Sequence, residues 1–330
     1  MNDGVSFGTK VFLNKENELR CLWRVLAFFA LLLVCAALFT SLVATIGVLF
    51  PSVKGWFDGS SQGGLLALFV DRSIALTSTL IASALAARVL ERRSFASTGF
   101  KLHAGWGKDF VFGSVLGAAT LSLAVGIAHL AGAMSLTSQE HSAGRLVSNL
   151  LVSFVIFLTA AAFEEVLLRG FAFQALVHNT SPMIALISTS VVFGLLHLSN
   201  PNVTLFSTLN TILAGVWLGV AYLQTRSLWL ATALHYAWNL TMAFLFGLPV
   251  SGLTDFKSIA WLDGQATEPV WLSGGNYGPE GGLAATIALV ICTLAIWKSG
   301  LFSASPDMLA ALEHGKRPIQ PETAPRDVIT

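Results

Sequence analysis

Eight separate stretches of this chain are apolar enough to be read as rods crossing a lipid bilayer, near residues 22–50, 64–88, 109–133, 146–168, 183–198, 203–224, 228–248 and 281–298. About 20 apolar residues are needed to cross the hydrocarbon layer, and only the fifth stretch is short. A chain so built has few solutions. With no water to satisfy its backbone, each stretch must be a helix. The expected fold is therefore all-α, a polytopic helix bundle of about eight transmembrane helices. Composition agrees: 54% of the 330 residues are hydrophobic and 11% are charged, against roughly 25% charged in a soluble domain.

Lys and Arg set the orientation. Lys10, Lys15, Arg20 and Arg24 precede or open the first stretch. Arg88, Arg92, Arg93, Lys101 and Lys108 follow the second, and Lys298, Lys316, Arg317 and Arg326 follow or end the last. The alternate loops hold only Lys54, Arg145 and Lys257. By the positive-inside rule both termini are expected in the cytoplasm of a multi-pass integral membrane protein. That membrane would be the cell membrane if the source is bacterial. The first apolar run is too long for a cleaved leader and reads as a retained anchor.

Three regions follow: a polar cytoplasmic leader over 1–20, a helix bundle over 21–299, and a flexible cytoplasmic tail over 300–330. Residues 249–280 form the longest internal connection, either a cap on the bundle or a solvated loop. A net charge of +1, with no basic run or nucleic-acid motif, points away from nucleic acid as a partner. Cys21, Cys35 and Cys292 have no metal or disulfide spacing and read as small packing residues.

Ionisable residues inside such rods are costly and are functional candidates. The fourth stretch ends in "AAFEEVLLRGF", residues 161–171. Glu165 and Arg169 are four apart, acid first, and share a helix face in the order that favours an ion pair. Glu164 is five from Arg169 and faces elsewhere, which leaves one paired and one spare carboxylate. Phe193 and His197 end the fifth stretch at the same spacing, and His235 and Asn239 share a stripe of the seventh. Alone, each has an inert explanation: a helix end among lipid headgroups, a capped histidine, polar glue between helices. Asp71–Arg72 reads as an ion pair packed inside the bundle and His129 as a hydrogen-bonded packing residue. His103, His141, His178 and His314 fall in connections.

Taken as a set, the free acid, two imidazoles and an amide supply what peptide hydrolysis by activated water requires: a base, its partner and oxyanion donors. The order EExxxR (Glu164, Glu165, Arg169), FxxxH (Phe193, His197) and HxxxN (His235, Asn239) resembles the CAAX-protease and bacteriocin-processing family of intramembrane endopeptidases. "LAGVWLGVAYLQTRSLWLATALHYAWN" is similar to the stretch before that family's third motif, and the likeness covers about residues 145–245. The resemblance implies that Glu164 with His197 activates water. It implies that His235 and Asn239 stabilise the oxyanion, that Glu165 and Arg169 brace the site, and that Phe193 lines the cavity. The implied substrate is a membrane-attached peptide or protein, lipidated or leader-type.

No cofactor is favoured. A divalent metal such as zinc, held by Glu164, His197 and His235, is the rival mechanism, without the support of an HExxH motif. A non-catalytic immunity or adaptor protein on the same scaffold is the alternative function, and a proton-relaying transporter ranks last. The helix path poses one conflict. Arg169 near the cytoplasmic face keeps Glu164 shallow, whereas His197 closes a helix rising from that face and is expected near the far side. A tilted helix or a protected break at "LSNPN" would reconcile them.

Overall fold

The computed structural model describes residues 11–14, 18–50 and 64–313. Residues 1–10 of the leader and 314–330 of the tail lie outside the described residues. The chain is helical almost throughout. In order come α1 (Cys21–Leu49), α2 (Gly64–Leu90), α3 (Trp106–Leu130), α4 (Ala143–Arg169), α5 (Phe171–Asn179), α6 (Pro182–Leu196), α7 (Leu205–Thr225), α8 (Leu228–Leu240), α9 (Leu283–Lys298) and α10 (Pro306–Glu313). Among the described residues, five helical runs are long and apolar enough to cross a membrane: α1, α2, α3, the α4–α5 run and α7. The fifth, seventh and eighth apolar stretches form shorter helices, α6, α8 and α9, of 15, 13 and 16 residues. A π-helical turn, Thr241–Leu245, extends α8.

Local chemistry sets the boundaries of the helices that carry the site. Ser142, Ser181 and Ser227 each cap a helix N-terminus through the side-chain oxygen, and Pro182 occupies the first turn of α6. Thr204 and Ser207 make a reciprocal capping box on α7. These contacts satisfy backbone N–H groups that have no intrahelical partner. Between α4 and α5 the chain breaks at Gly170 (φ −73°, ψ −124°). A Cβ there would sit 2.3 Å from the Val166 carbonyl oxygen, so the break needs glycine.

The fourth apolar rod therefore does not stop at residue 168. It continues past the break to Asn179, a run of 37 residues. Glu164 and His197 nevertheless line one cavity, and so do Ser199 and Asn200 of "LSNPN", irregular backbone that follows the end of α6.

Close packing fixes α8. A Cβ on Gly117 of α3 would stand 2.4 Å from the backbone oxygen of Leu234, the residue before His235. Gly117→Ala is therefore expected to push α3 off α8 and to destabilise the protein by about 1–3 kcal/mol, the usual cost of overpacking. Gly126→Ala, on the same helix with open space around it, is the control. Thermal unfolding in detergent should lower the midpoint for the first substitution and not for the second.

The long connection is a built structure. Residues Met134–Ser138 (β1) and Leu262–Ala266 (β2) pair antiparallel, Met134 opposite Ala266. Gln139, His141 and Asn149 hydrogen-bond to backbone oxygens of Lys257, Leu262, Ala260 and Ile259. The Phe256 ring packs on Phe157 of α4, with centroids 4.4 Å apart. Residues 249–280 are thereby anchored over one end of the bundle. Part of the tail is folded too, against the expectation of flexibility from residue 300 onward. Met308 of α10 is fully buried, and Asp307 accepts from the Ala104 N–H and pairs with Lys101.

Candidate active site

The last two turns of α4 carry the acids. Arg169 donates from Nη1 to Glu165 Oε1 at 3.1 Å and from Nη2 to the Gly215 oxygen of α7 at 3.0 Å. Both side chains are fully buried, and the guanidinium lies over the Phe193 ring at 4.9 Å. The spacing of four had pointed to this pair. It had not pointed to a third partner: Glu165 Oε1 also accepts from His235 Nδ1 at 2.9 Å. One carboxylate oxygen thus holds both a guanidinium and an imidazole, tying α4, α7 and α8 together.

Glu164 faces the other way. Its side chain is 24% exposed, and Oε2 stands 3.7 Å from His235 Nε2. That separation is too long for a direct hydrogen bond and suits a bridging water. Glu164 Oε2 is buried with no hydrogen-bond partner among the described residues. With Nδ1 engaged by Glu165, the Nε2 edge of His235 is the one turned toward Glu164.

His197 is the residue that ends α6. Its Nδ1 donates to the Phe193 oxygen at 2.8 Å, which leaves Nε2 free for chemistry. The Phe193 ring stands between the two imidazoles, edge-on to both, at 4.8 Å from His197 and 5.8 Å from His235. Asn239, one turn beyond His235, completes the polar set.

Glu164, His197, His235, Asn239 and Phe193 all line a single cavity of ≈ 400 Å³, within the usual size range of ligand sites. Its walls are otherwise mostly apolar side chains of α4, α6, α7 and α8. The site is level because Glu164 lies close to the end of α4, and His235 two turns into α8. Each is within two turns of its helix terminus.

Among the described residues no three His, Cys, Asp or Glu side chains are grouped to hold a metal ion. One nitrogen of each histidine is committed to a protein acceptor, and His235 Nε2 and Glu164 Oε2 stand 3.7 Å apart.

The cavity also takes in polar residues not anticipated there, among them Arg72 of α2 and Ser251, Asp255 and Glu280 of the capping connection. Glu280 accepts from Trp238 Nε1 at 3.2 Å and from the N–H and hydroxyl of Ser251, each at 2.7 Å. It staples the cap to the residue beside Asn239. Burial, followed by the neighbouring Glu280 carboxylate, pushes the Tyr277 phenol above its ordinary range, so it stays neutral. An acid in a glycine-rich loop had no periodicity to mark it. Of the remaining candidates, His129 Nδ1 donates to the Met134 oxygen, 2.8 Å away, outside the cavity. Asp71 and Arg72 do form an ion pair, 3.7 Å between their charged atoms, but it is not packed inside the bundle, since Asp71 is 70% exposed.

Apolar helical rods that deliver an acid, two imidazoles and an amide to one internal cavity define a membrane protein with a hydrolase-like polar centre. Residues 146–241 match the family described as type II CAAX prenyl endopeptidase, Rce1-like. All three motif pairs fall inside that match, which spans less than half of the chain. The matched segment is similar to the CAAX-type membrane endopeptidases, in accord with the motif resemblance. No curated protein and no solved structure matches the chain.

Proposed function

We propose that the protein is an intramembrane endopeptidase that cuts a membrane-attached peptide, prenylated or leader-type, using water activated by Glu164 and His197. The observation that carries this reading is the convergence of Glu164, His197, His235 and Asn239 from three helices on one cavity, with Glu164 Oε2 beside His235 Nε2 and without a hydrogen bond to a described residue. Glu164 takes a proton from water as the oxygen adds to the scissile carbonyl. His235 Nε2–H and the Asn239 amide donate to the resulting oxyanion. Glu165, accepting at Nδ1, is the counter-charge that such a donor needs in a low-dielectric site. Collapse of the tetrahedral intermediate breaks the C–N bond, and the proton held by Glu164 passes to the leaving amine. Arg169 braces Glu165, and Phe193 spaces the two rings. The Lys/Arg bias supports both termini in the cytoplasm.

Proteomics of peptide termini tests this. Membranes from cells with the native protein are compared with membranes from cells carrying Glu164→Gln. The expected result is a set of membrane-attached peptides that persist uncut only with the variant. Identical termini in both, together with a phenotype that survives Glu164→Gln, would instead mark a non-catalytic adaptor on the same scaffold.

A further inference from the structure

The two ends of the bundle differ in charge and in access. One end is assembled from the α2–α3 connection, the α7–α8 turn and the start of the tail. There the Leu228 N–H donates to the Gly99 oxygen, His103 Nε2 stands 3.1 Å from the Ser227 hydroxyl, and Lys101 pairs with Asp307. Arg88, Arg92, Arg93, Lys101, Lys108, Arg226 and Lys298 lie at this end. The other end is the cap. The β1–β2 pair joins the α3–α4 connection to it. Gly252 packs so closely on the α6–α7 connection that a Cβ would sit 2.1 Å from the Pro201 oxygen. At this end the described residues offer Arg145 and Lys257, besides Arg72 in the cavity wall. By the positive-inside rule the first end faces the cytoplasm and the cap faces away from it.

The cavity reaches the surface at the cap. The exposed members of its lining are Leu196 and Ser199, where α6 ends, and Leu253 and Asp255 of the cap. The lining takes in no described residue of the α2–α3 connection, α5, the α7–α8 turn or the tail. Toward the basic end the bundle is closed. Phe173, Tyr222, Leu228 and Leu230 are fully buried, and the Trp229 ring is packed against Phe100, Trp106 and Phe110. Glu164 stands well inside the Ala143–Asn179 run. An extended peptide that crossed the hydrocarbon to reach it would leave its N–H and C=O groups unsatisfied. We infer that the cavity admits its substrate from the non-cytoplasmic face, so that the peptide cut at Glu164 is one already exported and held in the outer leaflet. This rests on the endopeptidase reading. Within it, the inference selects an exported leader-type peptide over one anchored at the cytoplasmic face.

The probe is an S-farnesylated fluorogenic peptide with several charged residues, which stays in the leaflet to which it is added. The full-length protein is reconstituted in liposomes. The vesicles are sorted through a C-terminal tag into those with the tag outside and those with it enclosed. The expected result is turnover by vesicles with the tag enclosed and its loss in the others, with detergent bringing both to equal turnover. In spheroplasts of a bacterial host, a membrane-impermeant maleimide should label Asp255→Cys above the background of the native chain. Ser303→Cys, exposed beyond α9, should be labelled only after permeabilisation. Leu253→Cys, at the same mouth, replaces Asp255→Cys if that variant fails to insert. Equal turnover by both vesicle populations, or turnover confined to those with the tag outside, overturns the placement of the mouth. Labelling of Ser303→Cys from outside overturns the exported substrate. No turnover even in detergent, with Asp255→Cys labelled from outside, keeps the mouth on the outer face and rejects the endopeptidase reading.

Discussion

Glu164→Gln is expected to lower kcat by about a thousandfold, within the usual range for loss of a general base, while leaving KM nearly unchanged. The amide keeps the shape of the side chain but cannot take a proton. Because Glu164 acts on water and is not placed to hold the peptide, the loss should fall on the transition state alone. Stability should not fall. Oε2 is buried without a hydrogen-bond partner among the described residues, so removing its charge relieves a desolvated group. Kinetics on the farnesylated peptide together with thermal unfolding in detergent check both halves. A variant that turns over normally, or one that is inactive only because it has melted, contradicts the assignment.

Arg169→Met is the opposite case: large in stability and only secondarily felt in catalysis. Arg169 is fully buried, and it neutralises Glu165 while donating to Gly215. Removing it leaves a carboxylate stranded among helices, and breaking a buried pair on one side costs about 3–5 kcal/mol. His235 alone would then have to balance Glu165, which also disturbs the imidazole presented to the cavity. Glu165→Gln combined with Arg169→Met removes both charges and should recover a large part of the stability, though not the activity. Unfolding midpoints of the two single variants and the double variant measure the coupling. Strict additivity would show that the pair does not act as a unit.

The sequence carried the all-helical class and the order of the apolar helices, while five of the eight apolar stretches fall, among the described residues, in runs long enough to span a bilayer. It also carried the split between Glu164 and Glu165, because one helical step rotates a side chain by about 100°. What it lacked was tertiary. Nothing in the spacing of α4 and α8 says that Glu165 would reach across to His235 as well as to Arg169. The continuation of the fourth rod through Gly170 to Asn179 was hidden because glycine after arginine reads as a helix stop. The helix in fact breaks there and resumes. Asp71 and Arg72 read as a local ion pair, and their charged atoms do stand 3.7 Å apart; that Arg72 also lines the cavity shows only in three dimensions. Glu280 lies in irregular backbone, where no period exists to reveal a face.

The most direct test is hydrolysis by the purified, exhaustively chelated protein in nanodiscs, with the farnesylated peptide as substrate and heavy-oxygen water as solvent, read by mass spectrometry. The expected result is a cut at one bond, with heavy oxygen appearing in the new carboxylate for the wild type and no cut for Glu164→Gln. Cleavage that returns only when a divalent ion is added back, or equal cleavage by both proteins, would contradict water activation by Glu164.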